Sequence, residues 1–181
     1  RGAVALNNPH NATGRVFSED AVRKLLTYCL EREVYVIDDL AYQNVAPVND
    51  LPEIKTVRQL VTEMVRLGVA DERCADRVIT VHSMSKTDCL AGARLAVVEI
   101  RDRELRQRFA EINAHIQPNI AAVLICYLFY RGTTLAVRTY WHVRNAIYSE
   151  RTRALLAAVE NLPTDRNPFH LEIIPPTGSM Y

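Results

Sequence analysis

The sequence lacks the features that identify several classes of protein. Its 22 basic and 21 acidic residues leave a net charge of +1, so no basic field is present to attract nucleic acid or an anionic membrane. The longest apolar run, residues 120–130, is shorter than the ~20 residues that a membrane-spanning helix needs. No charged segment followed by an apolar one opens the sequence, so a secretory signal is not expected.

Closely spaced cysteines and histidines are also lacking. The four cysteines, Cys29, Cys74, Cys89 and Cys126, form no Cys-x-x-Cys pair, and the histidines have no metal-like spacing. The sequence therefore predicts no metal site and no disulfide framework. A reducing cytoplasm is the expected location.

What is present describes an ordinary globular protein. The chain has 181 residues, of which 49% are hydrophobic and 24% are charged, which suits one domain or slightly more. It begins at Arg1 rather than at a methionine, and residues 175–181 stop where a new segment starts. We therefore expect the chain to be a piece of a longer protein.

Apolar β-type runs alternate with helical patterns along the chain. A helix is expected after Ser18, the apolar stretch 120–129 is expected to be a buried helix, and a long charged helix is expected over 134–161. Two more helical patterns cover 54–65 and 105–116, and β-type runs cover 4–6, 34–37, 78–81, 95–98 and 171–174. Such alternation predicts an α/β fold with a mostly parallel sheet flanked by helices.

Polar segments follow three of the predicted strands, at residues 7–14, 38–42 and 82–86. In open α/β sheets, ligands bind outside the carboxyl ends of the strands. The sequence therefore predicts that these three segments share one site.

The three segments carry motifs in a recognisable order. Residues 8–14 read Asn-Pro-His-Asn-Ala-Thr-Gly, and the later motif residues are Asp39, Tyr42, Ser83, Ser85, Lys86 and Arg94. This pattern resembles the class I and II aminotransferases, a family of fold type I pyridoxal-phosphate enzymes. The family reads Asn-Pro-x-Asn-Pro-Thr-Gly, then Asp-x-x-Tyr, then Ser-x-Ser-Lys with an arginine eight residues after the lysine.

The resemblance implies pyridoxal 5'-phosphate as the cofactor and assigns catalytic roles to Lys86, Asp39 and Tyr42. Lys86 would form the Schiff base with the cofactor aldehyde and move the proton during the reaction. Asp39 would lie beside the ring nitrogen, where a carboxylate favours the protonated pyridinium. Asn11 and Tyr42 would donate hydrogen bonds to the phenolic oxygen of the ring.

The cofactor phosphate would be held, by the same resemblance, by Arg94 together with Ser83 and Ser85. A guanidinium suits this role because it binds two oxygens at once. Two positions depart from the family pattern. Ala12 replaces a proline that normally fixes the turn around Asn11, and Ala96 replaces a glycine.

The implied function is an aminotransferase that moves an amino group between an amino acid and a 2-oxo acid. The resemblance further implies that residues 1–174 form part of the large cofactor-binding domain, with 175–181 starting the crossing into a small C-terminal domain that this sequence lacks. A homodimer is implied for the full-length protein, with small-molecule substrates and neither nucleic acid nor membrane as partner. The chain alone is expected to be a poor catalyst.

Three alternatives remain open. The same lysine, aspartate and arginine would serve a lyase, a decarboxylase or an oxidative deaminase. A domain of this type could also sense pyridoxal phosphate without turnover in a transcription regulator. Finally, the departures at Ala12 and Ala96 leave room for a degenerate chain that binds no cofactor.

Overall fold

Strands and helices alternate through the described part of the chain. The computed structural model describes residues 2–45, 54–163, 166 and 173–178. The strands are β1 (Ala3–Asn7), β2 (Tyr35–Asp39), β3 (Val78–Ser83) and β4 (Ala96–Ile100). The helices are α1 (Glu19–Glu31), α2 (Val57–Arg66), α3 (Met84–Thr87), α4 (Arg103–Asn113), α5 (Ile120–Arg131) and α6 (Thr134–Glu160).

The strands form one sheet in the order β1-β2-β3-β4. The first three are parallel, and β4 runs antiparallel to β3. Asn7 lies opposite Asp39, and Asp39 lies opposite Val81, so the carboxyl ends of three strands meet at one edge. The predicted α/β fold with a mostly parallel sheet is confirmed.

The hydrophobic core lies between one face of the sheet and the helices α1 and α2. Val36 and Val78 point into it from neighbouring strands, because alternate residues of a strand face opposite sides. From the helices come Val22, Leu26, Cys29, Leu30, Val57, Leu60, Val61 and Met64.

Two helices of this layer begin at well-formed caps. The Ser18 hydroxyl accepts a hydrogen bond from the Ala21 N–H at 3.3 Å, as the sequence predicted for the start of α1. Thr56 and Gln59 form a capping box at the start of α2. These caps fix where each helix leaves the edge of the sheet that carries the site.

The prediction that residues 120–129 are buried is wrong. In α5 only Ala122 and Cys126 are buried, whereas Ile120, Leu124 and Leu128 are all more than half exposed. The sequence shows that this helix is apolar on every side, but it does not show which sides other elements cover. In the structure, the other described elements cover only the side of Ala122 and Cys126.

The strand predicted at 171–174 falls partly outside the described residues. Ile173 and Ile174 are described, and they are exposed and lie in no strand. Slightly further on, the N–H groups of Thr177 and Gly178 donate to the carbonyl of Gly14, at 2.7 and 2.8 Å. The last described segment therefore returns to the turn that follows β1.

No single helix of the described residues is long and apolar enough to cross a bilayer. Helices α5 and α6, which meet at an angle of 105°, reach that length and hydropathy only as a bent pair.

Candidate active site

Asn7, the last residue of β1, connects two of the three strand ends. Its side-chain amide donates to the carbonyl of Asp39 at 3.1 Å, and its side-chain oxygen accepts from the Asn11 N–H at 2.7 Å. Sequence reasoning did not single out Asn7. Its place at the last position of a strand is the signal that could have found it.

Two predicted residues from different strand ends are in direct contact. The Tyr42 hydroxyl donates to the side-chain oxygen of Asn11 at 2.8 Å. The Tyr42 side chain is buried at 3% exposure, whereas Asn11 is exposed. The Tyr42 ring is therefore fixed by the packing around it, and of the two side chains only Asn11 is exposed to solvent.

The turn that carries Asn11 is held by backbone hydrogen bonds. The His10 N–H donates to the Arg15 carbonyl at 2.8 Å, and the Gly14 N–H donates to the His10 carbonyl at 3.0 Å. Gly14 has a φ of 58°, which an alanine would adopt only with strain. The turn is thus formed although Ala12 replaces the family's proline.

The two adjacent aspartates at the end of β2 have different surroundings. Asp39 is half-buried, and its carboxylate accepts from the Ala41 N–H at 3.0 Å. Asp38 faces the opposite side of the sheet, is 1% exposed and accepts from the Val57 N–H at 2.8 Å. Burial raises the pKa of Asp38 to about 6, and the charge of Asp39 acts in the same direction.

Lys86 lies on a one-turn helix at the end of β3. Ser83 caps this helix, α3, by accepting from the Ser85 N–H at 3.3 Å. Lys86 itself is half-buried. Thr87 donates from its hydroxyl to the carbonyl of Gln43 at 3.1 Å, and so it connects the lysine's turn to the turn that carries Tyr42.

Arg94 is placed differently from the other predicted residues. It is exposed, has a left-handed backbone with a φ of 52°, and donates to the carbonyl of Ala91 at 3.0 Å. The hydrogen bonds of the described residues do not join it to Ser83 or Ser85. The structure therefore brings together the ends of β1, β2 and β3, whereas Arg94 follows α3 in the chain and bonds locally to Ala91.

Sequence reasoning missed the contacts behind the lysine's turn. Asp88 and Arg144 are buried, at 4% and 6% exposure, and both bond to residues beside the site. Asp88 could have been noticed as a charge two residues after Lys86, whereas nothing in the sequence marks Arg144. A cavity of about 160 Å³ lies beside the lysine's turn, and its lining includes Ser83 and Thr87.

The side chains at this edge have the chemistry that pyridoxal phosphate requires. An amine, a carboxylate, a phenol and an amide come from three adjacent strand ends, and hydroxyl groups lie at the start of a helix. These groups suit an aldehyde, a ring nitrogen, a phenolic oxygen and a phosphate. Among the described residues, no group of three or more metal-ligating side chains lies close enough to hold a metal ion.

Comparison with known proteins gives a consistent result. The family model described as aminotransferase class I and II matches residues 1–178. An aspartate aminotransferase of Sulfurisphaera tokodaii is 29% identical over 113 residues, which cover 62% of this chain and 25% of that protein.

Two solved structures share the fold. One is a pyridoxal-phosphate-bound putative aminotransferase from Clostridium difficile 630, with a TM-score of 0.69 and 18% identity over 99% of this chain and 42% of that one. The other is a C–S lyase from Staphylococcus hominis, with a TM-score of 0.72 and 20% identity over 98% of this chain and 40% of that one. The chain spans about a quarter of the length of the curated relatives that it matches.

Proposed function

Because the chain belongs to the class I and II aminotransferase family, we propose that it holds pyridoxal phosphate for the transfer of an amino group between an amino acid and a 2-oxo acid. One observation carries the proposal. The ends of β1, β2 and β3 bring Asn11, Tyr42, Asp39 and Lys86 to the same edge of the sheet, in the order of the family's motifs.

The cofactor, when bound, supplies an electron sink for the substrate's α-carbon. The chain's own residues bind and orient it. Lys86 would hold the cofactor aldehyde through Nζ, and the same atom would carry the proton that moves in the reaction. Asp39 would lie beside the ring nitrogen, where its carboxylate would favour the protonated form.

The side-chain amide N–H of Asn11 and the Tyr42 hydroxyl would bind the phenolic oxygen. The hydroxyl has one proton, which it donates to the Asn11 side-chain oxygen at 2.8 Å, so it would exchange that bond for one to the cofactor. Ser83, Ser85 and Arg94 would bind the phosphate, and for this Arg94 would have to give up its bond to the Ala91 carbonyl.

Covalent labelling tests the anchor directly. The protein is mixed with pyridoxal phosphate, reduced with borohydride and mapped by peptide mass. Lys24, Lys55 and Lys86 are the chain's three lysines, so the position of the label is unambiguous. We expect the label on Lys86 and an absorption band in the visible region before reduction.

Matched variants provide the control for this test. Lys86→Ala removes the band and the label, whereas Lys24→Ala, on the exposed side of α1, keeps both. A folded sample with no label on Lys86 would contradict the proposal. A labelled protein that turns over no amino acid would indicate a sensor of pyridoxal phosphate instead.

A lyase is the second candidate, and the similarity to the C–S lyase fold favours it. The two reactions differ in the fate of the amino group. A transferase delivers it to an added 2-oxo acid, whereas a lyase releases ammonia. We expect transfer without release of ammonia from the intact protein.

The proposal extends to the context of the chain. Residues 1–174 belong to the large cofactor-binding domain, and 175–181 begin the crossing to a small domain. The working unit is a homodimer in the cytoplasm.

A further inference from the structure

We propose that Asp88 and Arg144 are positioning residues that hold the turn carrying Lys86 against the turn carrying Tyr42. The inference rests on the proposed function, because it concerns the same lysine. Neither residue belongs to the motifs that carry the family resemblance.

Asp88 joins the lysine's turn to two helices. It follows α3 directly, and its N–H donates to the Met84 carbonyl at 3.3 Å. One carboxylate oxygen accepts from the Tyr130 hydroxyl of α5 at 2.6 Å, and the other accepts from the indole N–H of Trp141 in α6 at 3.0 Å. The Asp88 carbonyl accepts from the Tyr140 hydroxyl at 3.1 Å. Every acceptor group of Asp88 thus has a partner on α5 or α6.

The donors in this network stay protonated over the working pH range. Burial, and then the bond to Asp88, raise the pKa of Tyr130 well above its usual value. Burial likewise raises the pKa of Tyr140 to about 12. The indole N–H of Trp141 only donates. Asp88 is therefore surrounded by permanent donors, which is what a buried carboxylate requires.

Arg144 crosses from α6 to both turns of the site. Its guanidinium donates to the carbonyl of Thr87, the residue after the lysine, and to the carbonyl of Asn44, two residues after Tyr42. It also donates to the side-chain oxygen of Asn145 at 2.9 Å. A planar guanidinium can bind two carbonyls at fixed angles, whereas an ammonium cannot set both directions.

The cavity next to α3 explains why such support matters. Its volume is about 160 Å³, and its walls include Ser83, Thr87, Tyr130 and Trp141. A turn of four residues has little stability of its own, and here open space lies beside it. Without the bonds from α5 and α6, the turn can move into that space and shift Lys86.

The test uses the intact protein loaded with pyridoxal phosphate. Tyr130→Phe and Trp141→Phe each remove one donor to Asp88. We expect kcat to fall on the order of 10-fold to 100-fold, because small displacements of a reacting group have effects of that size. We expect KM for the amino acid to change by less than about twofold, since no substrate contact is removed.

A spectroscopic readout separates positioning from stability. The pH midpoint of the cofactor's visible absorption band reports the surroundings of the lysine to which it is attached. Asp88→Asn keeps the volume and removes the charge, so it moves this midpoint to lower pH. Arg144→Lys keeps the charge but loses the double contact, and it lowers kcat as Tyr130→Phe does.

Matched controls lie on the exposed sides of the same helices. Tyr127→Phe on α5 and Arg138→Lys on α6 keep the wild-type kcat and midpoint. The inference is overturned if the network variants match these controls. It is equally overturned if the network variants only reduce the amount of folded protein, so that the molecules that still hold the cofactor have the wild-type kcat and the wild-type pH midpoint. Absence of the label on Lys86 in the wild type instead overturns the proposed function, and this inference with it.

Discussion

Asp38 and Asp39 are adjacent in β2 but have different roles: Asp38 makes a structural contact, and Asp39 is the residue proposed for the site. Successive side chains of β2 point to opposite faces of the sheet, so Asp39 faces the site while Asp38 is buried against the start of α2. A family resemblance assigns a role to Asp39 only. The structure gives Asp38 the task of binding the first turn of α2 through the Val57 N–H.

Asp38 should make the stability of the fold depend on pH. Its pKa is about 6 in the folded chain, against a usual value of 3.8. The folded state therefore binds the Asp38 proton more tightly, so the contribution of Asp38 to stability is fully present below about pH 4 and is lost as the pH rises through about 6. Asp38→Asn lacks this loss, so its free energy of unfolding relative to wild type should rise by up to about 3 kcal/mol between pH 4 and pH 7.

Urea unfolding at a series of pH values measures this difference. Asp71→Asn is the contrasting variant, because hydrogen bonds to Arg73 lower the pKa of the exposed Asp71. Its contribution to stability has the opposite sign, being lost as the pH falls. Equal pH profiles for wild type and Asp38→Asn would contradict the structural assignment of Asp38.

At the scale of elements, α3 depends on its neighbours more than on its own sequence. It has four residues, and the Thr87 hydroxyl lies within hydrogen-bond distance of the carbonyls of Leu40, Ala41 and Gln43, the Gln43 carbonyl being nearest at 3.1 Å. Thr87 is 8% exposed, so these bonds are shielded from water. The position of Lys86 is therefore set jointly by β3 and by the turn after β2.

Thr87→Val tests this dependence. It keeps the shape of the side chain but removes the one hydroxyl proton that is donated to the Gln43 carbonyl, and an unsatisfied shielded carbonyl costs about 1 to 3 kcal/mol. We expect lower thermal stability and a smaller fraction of Lys86 labelled by pyridoxal phosphate after reduction. Thr87→Ser keeps the hydroxyl and should label as wild type does. If the valine and serine variants label equally, the hydroxyl has no positioning role.

The sequence predicted those elements whose structure is determined by residues close together in the chain. The cap at Ser18, the apolar face of α1 and the strand before Asp39 are encoded in neighbouring residues, and the sequence predicted all three. Polar segments after successive parallel strands also predicted where the site residues gather. The roles of Arg144 and Asn7 depend on contacts between distant elements, and no local pattern encodes those.

At the scale of the whole molecule, the chain exposes more surface than its mass requires. Its accessible surface is 12,205 Å², whereas a compact monomer of 20.5 kDa exposes about 8,900 Å². Part of the excess lies on α5, where Ile120, Leu124 and Leu128 form an exposed stripe at helical spacing. An apolar stripe of this kind is typical of a surface that becomes buried in an assembly.

This surface should make the isolated chain associate. We expect sedimentation equilibrium to show concentration-dependent association, weakened at least about tenfold by Leu124→Glu combined with Leu128→Glu, because burying two charges costs more than 1.4 kcal/mol. Leu67→Glu is the control, since Leu67 is exposed at the end of α2, away from the stripe. Association unaffected by the double change would exclude the stripe as the contact.

The bonds between Gly14 and residues 177–178 also have a consequence for how the protein is made. The ribosome synthesises the turn after β1 long before it synthesises residues 177–178, which bond to that turn. Gly14 and Thr177 are 163 residues apart in the sequence, which corresponds to roughly 10 to 30 seconds of synthesis. The sheet edge can form early, but the segment with Asn11 gains its last hydrogen bonds only when translation has passed residue 178. The site is therefore completed in two stages, with the sheet edge first and the turn around Asn11 after it.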